Sequence, residues 1–182
     1  MGFATDVEVD PDTGLVGWSR TVSKQIRYPY LSSDLAFREL PLLLMLIDEV
    51  SNDHGLADVR VVDGSGIAHP RTAGIATMLG AVAQILPIGV TKKLLFGSVD
   101  TKSAEVCSMR EIRVCKKKLG YAALTASRNR KPVFISPGFG LSVSQVQQLI
   151  KPFLERCPTP DPIYWADRIS RQAAKNSTLT KP

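Results

Sequence analysis

Val59-Arg60-Val61-Val62-Asp63-Gly64-Ser65-Gly66-Ile67-Ala68-His69-Pro70-Arg71 is the stretch whose reading decides the fold. Val59 to Val62 is a short β-branched run, as expected of an interior strand. Asp63 stands at its C-terminal end, and the glycines that follow break the strand. Open α/β sheets place their ligands beyond the carboxyl ends of such strands. Asp63 is therefore a candidate metal-binding or catalytic carboxylate, since hard divalent cations take carboxylate and phosphate oxygens. An aspartate that merely starts a turn fits the same spacing equally well. Gly64 and Gly66 would let another backbone, such as a nucleic-acid strand, come close.

The surrounding sequence supplies the elements of an α/β domain. Gly2 to Val9 and Leu15 to Val22 read as a hairpin around Pro11-Asp12-Thr13-Gly14, where proline presets φ and glycine tolerates a positive one. A helix is expected from Asp34 to Val50, with Pro41 kinking it or marking a late start. Ala73 to Ile85 reads as a second helix and Pro87 to Val90 as a short strand. Lys92 to Lys118 gives no clear pattern. Gly120 to Ser127 and Pro132 to Ile135 read as paired strands joined by Arg128-Asn129-Arg130. Ser142 and Gln145 form a capping-box pattern that opens a helix to about Arg156, and a last helix runs through Ala174. A hairpin followed by alternating helix and strand predicts one domain over residues 1–175 with a mixed sheet, and a polar tail over 176–182.

Composition narrows the class. The 182 residues suffice for one cored domain, and the formal net charge of +6 favours polyanionic partners without proving one. Three cysteines at spacings that fit no zinc pattern read as reduced thiols, so an intracellular place, in cytoplasm, nucleus or nucleolus, is expected. No apolar run is long enough to span a bilayer, so no membrane association is expected, and a monomer is.

Several side chains join Asp63 as candidates. Glu39, in Phe37-Arg38-Glu39, is a helix carboxylate that reads as a surface acid unless a second carboxylate stands near it. Lys92 follows the strand ending at Val90 and could hold a phosphate or the attacking water, or lie on the surface. His69 and Arg71 follow the glycine loop, and Tyr30 sits in a proline-bounded loop from which it could stack on a base. Lys116-Lys117-Lys118 reads as a solvated face.

Residues 61–76, Val-Val-Asp-Gly-Ser-Gly-Ile-Ala-His-Pro-Arg-Thr-Ala-Gly-Ile-Ala, resemble the central motif of the endonuclease V family. Pro29-Tyr30-Leu31 with Phe37-Arg38-Glu39, Ile88 to Leu95, Val133 to Gly138 and the segment around Asp167 resemble its other motifs, in its order, from about residue 2 to 175. The resemblance implies a ribonuclease H-like fold: a mixed β-sheet flanked by helices. It implies hydrolysis of a phosphodiester on the 3′ side of deoxyinosine or inosine in DNA or RNA, in nucleic-acid repair or inosine-RNA turnover. It implies Mg²⁺ or Mn²⁺ at Asp63 and Glu39, with Lys92 completing the catalytic set. It places Tyr30 in a wedge that fills the gap left by an extruded base, and Gly64, Ile75 and Leu95 around that base, with His69 and Arg71 on the nucleic acid.

The sequence departs from the family pattern in three places. The family's first strand, central in its sheet and bearing the other metal aspartate, has no counterpart before Gly2, so a chain shortened at its N-terminus is expected. Losing that strand exposes two rows of backbone donors and acceptors, so either the hairpin shifts to pair directly with Val59–Val62, or the sequence is a shortened version of a longer protein, which is the favoured expectation. Phe139 stands where the family has a histidine, and Ser32, Ser33 and Asp34 alter the wedge. A non-catalytic, nucleic-acid-binding relative is the alternative reading.

Overall fold

A computed structural model describes residues 1–26, 28, 35–100, 105–125 and 131–179. Strand β1, Gly2–Val9, turns back antiparallel into β2, Val16–Lys24. The turn forms as its residues dictate. The Asp10 carboxylate accepts from the Thr13 and Asp12 amides at 2.7 and 3.0 Å, and Gly14 takes φ 71°. Helix α1, Leu35–Asp53, contains Pro41 rather than starting after it. Pro41 and Phe37, whose carbonyl loses its helical partner, both lie on the solvent side, where water replaces the bond.

The second sheet holds β3 (Val59–Asp63), β4 (Leu86–Thr91), β5 (Met109–Val114), β6 (Lys117–Ala123) and β7 (Val133–Pro137) in the order β3-β4-β7-β6-β5. Only β3 and β4 are parallel, joined by α2, Ile75–Ala83, as a parallel pair requires a crossover. The sheet is mixed, as expected. The region after Lys92 that lacked a pattern supplies edge strand β5, whose Arg110, Glu111 and Arg113 hide its β character. Lys116 and Lys117 are exposed, as expected of a solvated face, while Lys117 and Lys118 open β6 and Lys118 pairs with Glu111 across the hairpin. The basic turn at 128–130 lies outside the described residues.

Helices cover both faces. Ile88, Val90 and Ile135 pack against Val146, Ile150 and Leu154 of the C-terminal segment, with Ile163 beside them. Val62, Ile75 and Leu79 form a second cluster with α1 side chains. Ala4, Val22, Leu42, Leu46 and Val50 bind the hairpin to α1. The capping box closes as expected: Ser142 Oγ accepts from the Gln145 amide, and the Ser142 amide donates to Gln145 Oε1 at 2.9 Å. Helix α3 is nonetheless short, Val143–Ile150, and passes into a 3₁₀ turn at Lys151–Phe153, because Pro152 has no amide to continue it. Helix α4, Asp161–Leu179, extends beyond Ala174 into the segment expected to be a tail. No described helix is long and apolar enough to cross a membrane.

The hairpin does not pair with β3. It forms a two-stranded sheet of its own, held to the body by α1, α4 and a guanidinium. Arg156 donates to the Asp161 carboxylate at 2.7 Å and to the Pro11 and Asp12 carbonyls at 2.5 and 2.7 Å. Asp161 has 1% of its side chain exposed, so its charge depends on that partner. Arg156→Ala strands a buried carboxylate and frees the turn. A loss of about 3–5 kcal/mol is expected in urea denaturation, with a midpoint shift at unchanged slope.

Candidate active site

The parallel register sets Asp63 beside Val90, and the Gly64 amide donates to the Val90 carbonyl at 2.8 Å. Strands β3 and β4 therefore end at the same level. Asp63 leaves the sheet where Thr91 and Lys92 leave it, and the Lys92 charge acts on the Asp63 carboxylate. Glu39 comes from α1 and Asp167 from α4, and both line one cavity of about 210 Å³ with Asp63. Asp63, Glu39 and Asp167 thus line one cavity at the sheet edge from three elements, and Asp6 of β1, ion-paired with Arg60, lines it as well. Asp63, Glu39 and Lys92, proposed separately from the sequence, are brought together.

Asp63 reaches solvent but is walled by protein, and this partial loss of water raises its carboxyl pKa above 3.8. Lys92 opposes that rise and Asp167 adds to it. Glu39 is raised above 4.5, first by burial and then by the Asp63 charge. Asp167 had no role assigned from the sequence. Its signal was its place in the closing segment, one of those that resemble the family's motifs. Only the path of α4 across β1 and β3 turns it to Asp63, while Arg171 Nε holds its Oδ1 at 2.9 Å.

The glycine loop serves the chain's own backbone. A methyl on Gly66 would collide with the Pro137 carbonyl, and one on Gly74 with the Ser65 carbonyl. The Gly66 amide donates to Ser136 Oγ at 3.0 Å and the Ile67 amide to the Pro137 carbonyl at 2.8 Å. These amides are spent internally, and the backbone that comes close at Gly66 is that of β7. A side chain on Gly64 would strike Ile75, which is buried beneath it.

The remaining candidates are spread around this centre. Leu95 is exposed on the loop after Lys92. The His69 pKa is lowered, first by burial and then by Arg71, so the ring is neutral near pH 7. Its Nδ1 accepts from the Arg71 amide at 3.3 Å, which leaves the proton on Nε2. Tyr30, with the segment Ser32 to Asp34, lies outside the described residues. Residue 139 is not beside Asp63. β7 runs antiparallel to β4, with Pro137 opposite Ile88 and the Gly138 amide on the Pro87 carbonyl, so Phe139 lies at the other end of the sheet, against Gly80.

Among the described residues no three of His, Cys, Asp and Glu converge closely enough to enclose an ion alone. The donor set still suits a divalent cation. Glu39 and Asp63 are like charges that each resist ionisation, and Mg²⁺ is commonly held by one or two carboxylates with phosphate and water completing its shell.

A family model described as Endonuclease V matches residues 3–168. A relative described as endonuclease V, from Thermosipho melanesiensis, is 33% identical over 174 residues, covering 96% of this chain and 75% of the relative. The solved endonuclease V of Bacillus subtilis superposes with a TM-score of 0.84 at 26% identity, over 98% of this chain and 76% of that one. A structure of Ciona intestinalis endonuclease V, in complex with a 24mer DNA containing an inosine followed by a ribo-adenosine, superposes with a TM-score of 0.81 at 24% identity, over 96% and 85% of the two chains.

The raised carboxyls predict a stability change of definite sign. An acid whose folded pKa exceeds its unfolded one costs stability once ionised, and the cost is relieved as pH falls through the folded value. In chelator-treated protein, Asp63→Asn should raise the melting temperature by a few degrees near pH 7. The gain should disappear on acidification toward the ordinary values of 3.8 and 4.5. Thermal melts across that range check it.

Proposed function

The chain belongs to the endonuclease V family, whose members are endonucleases, and on that premise we propose that it hydrolyses a phosphodiester on the 3′ side of deoxyinosine or inosine. The convergence of Asp63, Glu39 and Lys92 at the end of the parallel β3–β4 pair carries this reading. The inosine-containing DNA bound to the Ciona relative supports the choice of lesion. Repair of DNA and turnover of inosine-bearing RNA are the matching intracellular roles.

Each side chain has a task that its surroundings explain. Asp63 and Glu39 would hold Mg²⁺ or Mn²⁺. The ion, when bound, would supply Lewis-acid stabilisation of charge developing on the phosphoryl oxygens. Lys92 brings a cation to the same edge, where it offsets the carboxylates and attracts the phosphate. Neutral His69 offers its Nε2 proton, and Arg71 a charge, to the strand flanking the scissile phosphate. Leu95, exposed beside Lys92, and the turn of Gly64 over Ile75 give an apolar wall for an extruded hypoxanthine. Tyr30 is assigned to the gap the base leaves. Extrusion costs least at a weak pair, which favours hypoxanthine over a normally paired base.

The absence of a third enclosing ligand among the described residues favours a second reading, a relative that binds nucleic acid without cutting it. One assay separates the two. Single strands carrying one deoxyinosine or one inosine are incubated with the protein and Mn²⁺, and products and binding are measured together. Cleavage at the second phosphodiester 3′ to the lesion is expected. Asp63→Asn should slow it by on the order of 10²–10³-fold with binding retained. Salt-sensitive binding without cleavage by the unaltered chain would establish the second reading.

A further inference from the structure

The β5–β6 hairpin takes no part in the site around Asp63, yet it holds much of the chain's charge. Residues 109–118 carry Arg110, Arg113, Lys116, Lys117 and Lys118 against Glu111 alone, a surplus of four in a chain of net charge +6. Arg113 and Lys118 both pair with Glu111. Lys116 and Lys117, at the turn, are exposed and make no ion pair among the described residues.

The hairpin is fastened to the loop that carries Lys92. The Ser98 amide donates to the Arg113 carbonyl at 2.9 Å, and the Arg113 amide to the Ser98 carbonyl at 3.0 Å. Gly97 takes φ 96° where a side chain would press on Ile112 and the Arg113 carbonyl, so the loop lies directly on β5. The loop leaves β4 beside Asp63 and reaches β5 at Arg113, with Lys92, Lys93 and Leu95 exposed along it. Leu94, Phe96 and Val114 pack in one cluster with Ile67 and Ala68 of the glycine loop. Lys117 is opposite Val114 in the ladder and so projects from that same face. Asp63 is level with Val90, Val90 with Ile135, and Ile135 with Tyr121. Lys117 is therefore three strands across and four residues along from Asp63, roughly 20 Å away.

We propose that Lys116 and Lys117 form an outlying phosphate site, which binds the nucleic-acid strand several nucleotides from the lesion. The carboxylates of the central site repel phosphate, so affinity for a polyanion has to come from cations elsewhere on the same face. Two such cations on a tight turn fixed to the catalytic loop set the register of the strand without reading its sequence. Guarding a free sheet edge does not account for them, because Ser98 already covers β5 at Arg113. The proposal rests on the nucleic-acid reading of the site and extends it along the strand.

The test measures binding and cleavage of inosine-containing single strands by the full chain at several salt concentrations. Lys116→Gln and Lys117→Gln are introduced together. With a strand extending about 15 nucleotides on each side of the lesion, the slope of log affinity against log salt should become shallower by about 1 to 2. The change should be the same for an undamaged strand. It should vanish with a strand ending about two nucleotides from the lesion on each side. Lys116→Arg with Lys117→Arg should keep the original slope. So should Lys151→Gln with Lys175→Gln, which removes the same charge from the C-terminal segment. An unchanged slope in the first pair, or an equal change in the Lys151 and Lys175 pair or on the short strand, overturns the proposal. Loss of binding to polyglutamate, with none to the strand, assigns the turn to an acidic protein and overturns it too. Cleavage with an unchanged slope sinks this site and leaves the nuclease reading intact. A shallower slope without cleavage does the reverse.

Discussion

A methyl group on Gly66 would run into the Pro137 carbonyl, and one on Gly89 would press on the backbone of Gly64 and Gly66. The loop after β3 is laid directly on β4 and β7, with no side chain between them. Most of what this molecule can do depends on that contact. It fixes the height at which Asp63 leaves the sheet, and the parallel register brings Lys92 to the same height. It also directs the chain into α2, through the Ala76 amide on the Ser65 carbonyl at 3.0 Å. A looser loop would leave the carboxylate on a mobile turn, where its distance to other charges would vary.

Electrostatics follow from that placement. The chain carries a net positive charge, yet its strand ends gather Glu39, Asp63 and Asp167. Burial and the neighbouring charges raise the pKa of Glu39 and Asp63, which is a standing cost to folding without a compensating cation. Lys92 offsets part of it. Clustering like charges on three separate elements is what a site for a cation and a phosphate requires, and it is poorly explained as a device for stability. The same balance recurs in the opposite sense at Asp161, where Arg156 compensates a buried carboxylate and the gain is mechanical: the hairpin turn is tied to the C-terminal helix.

Local readings held where the cause was local. The Asp10 to Gly14 turn, the Ser142–Gln145 cap and the β-branched run before Asp63 each depend on neighbouring residues. They failed where a distant partner decides. The late start offered for α1 at Pro41 does not occur because that face is solvated, and the charged strand β5 forms because β6 offers it a ladder. The glycines of the Asp63 loop were legible as sites of close approach, but not that the chain's own β4 and β7 come close there. Residue 139 follows a recognisable motif, yet strand direction carries it to the far end of the sheet.

By itself, then, the sequence determined the element types, the family motif and the identity of the carboxylate at the end of β3. Periodicity, turn chemistry and residue order act over a few residues and can be read in one dimension. The tertiary structure alone decided which charges share a cavity with Asp63. Asp167 enters because α4 crosses β1 and β3, an effect of packing between segments about a hundred residues apart. It also decided that the hairpin and β3 keep their edges apart, since α1 and α4 brace them from both faces with the Arg60–Asp6 pair between them.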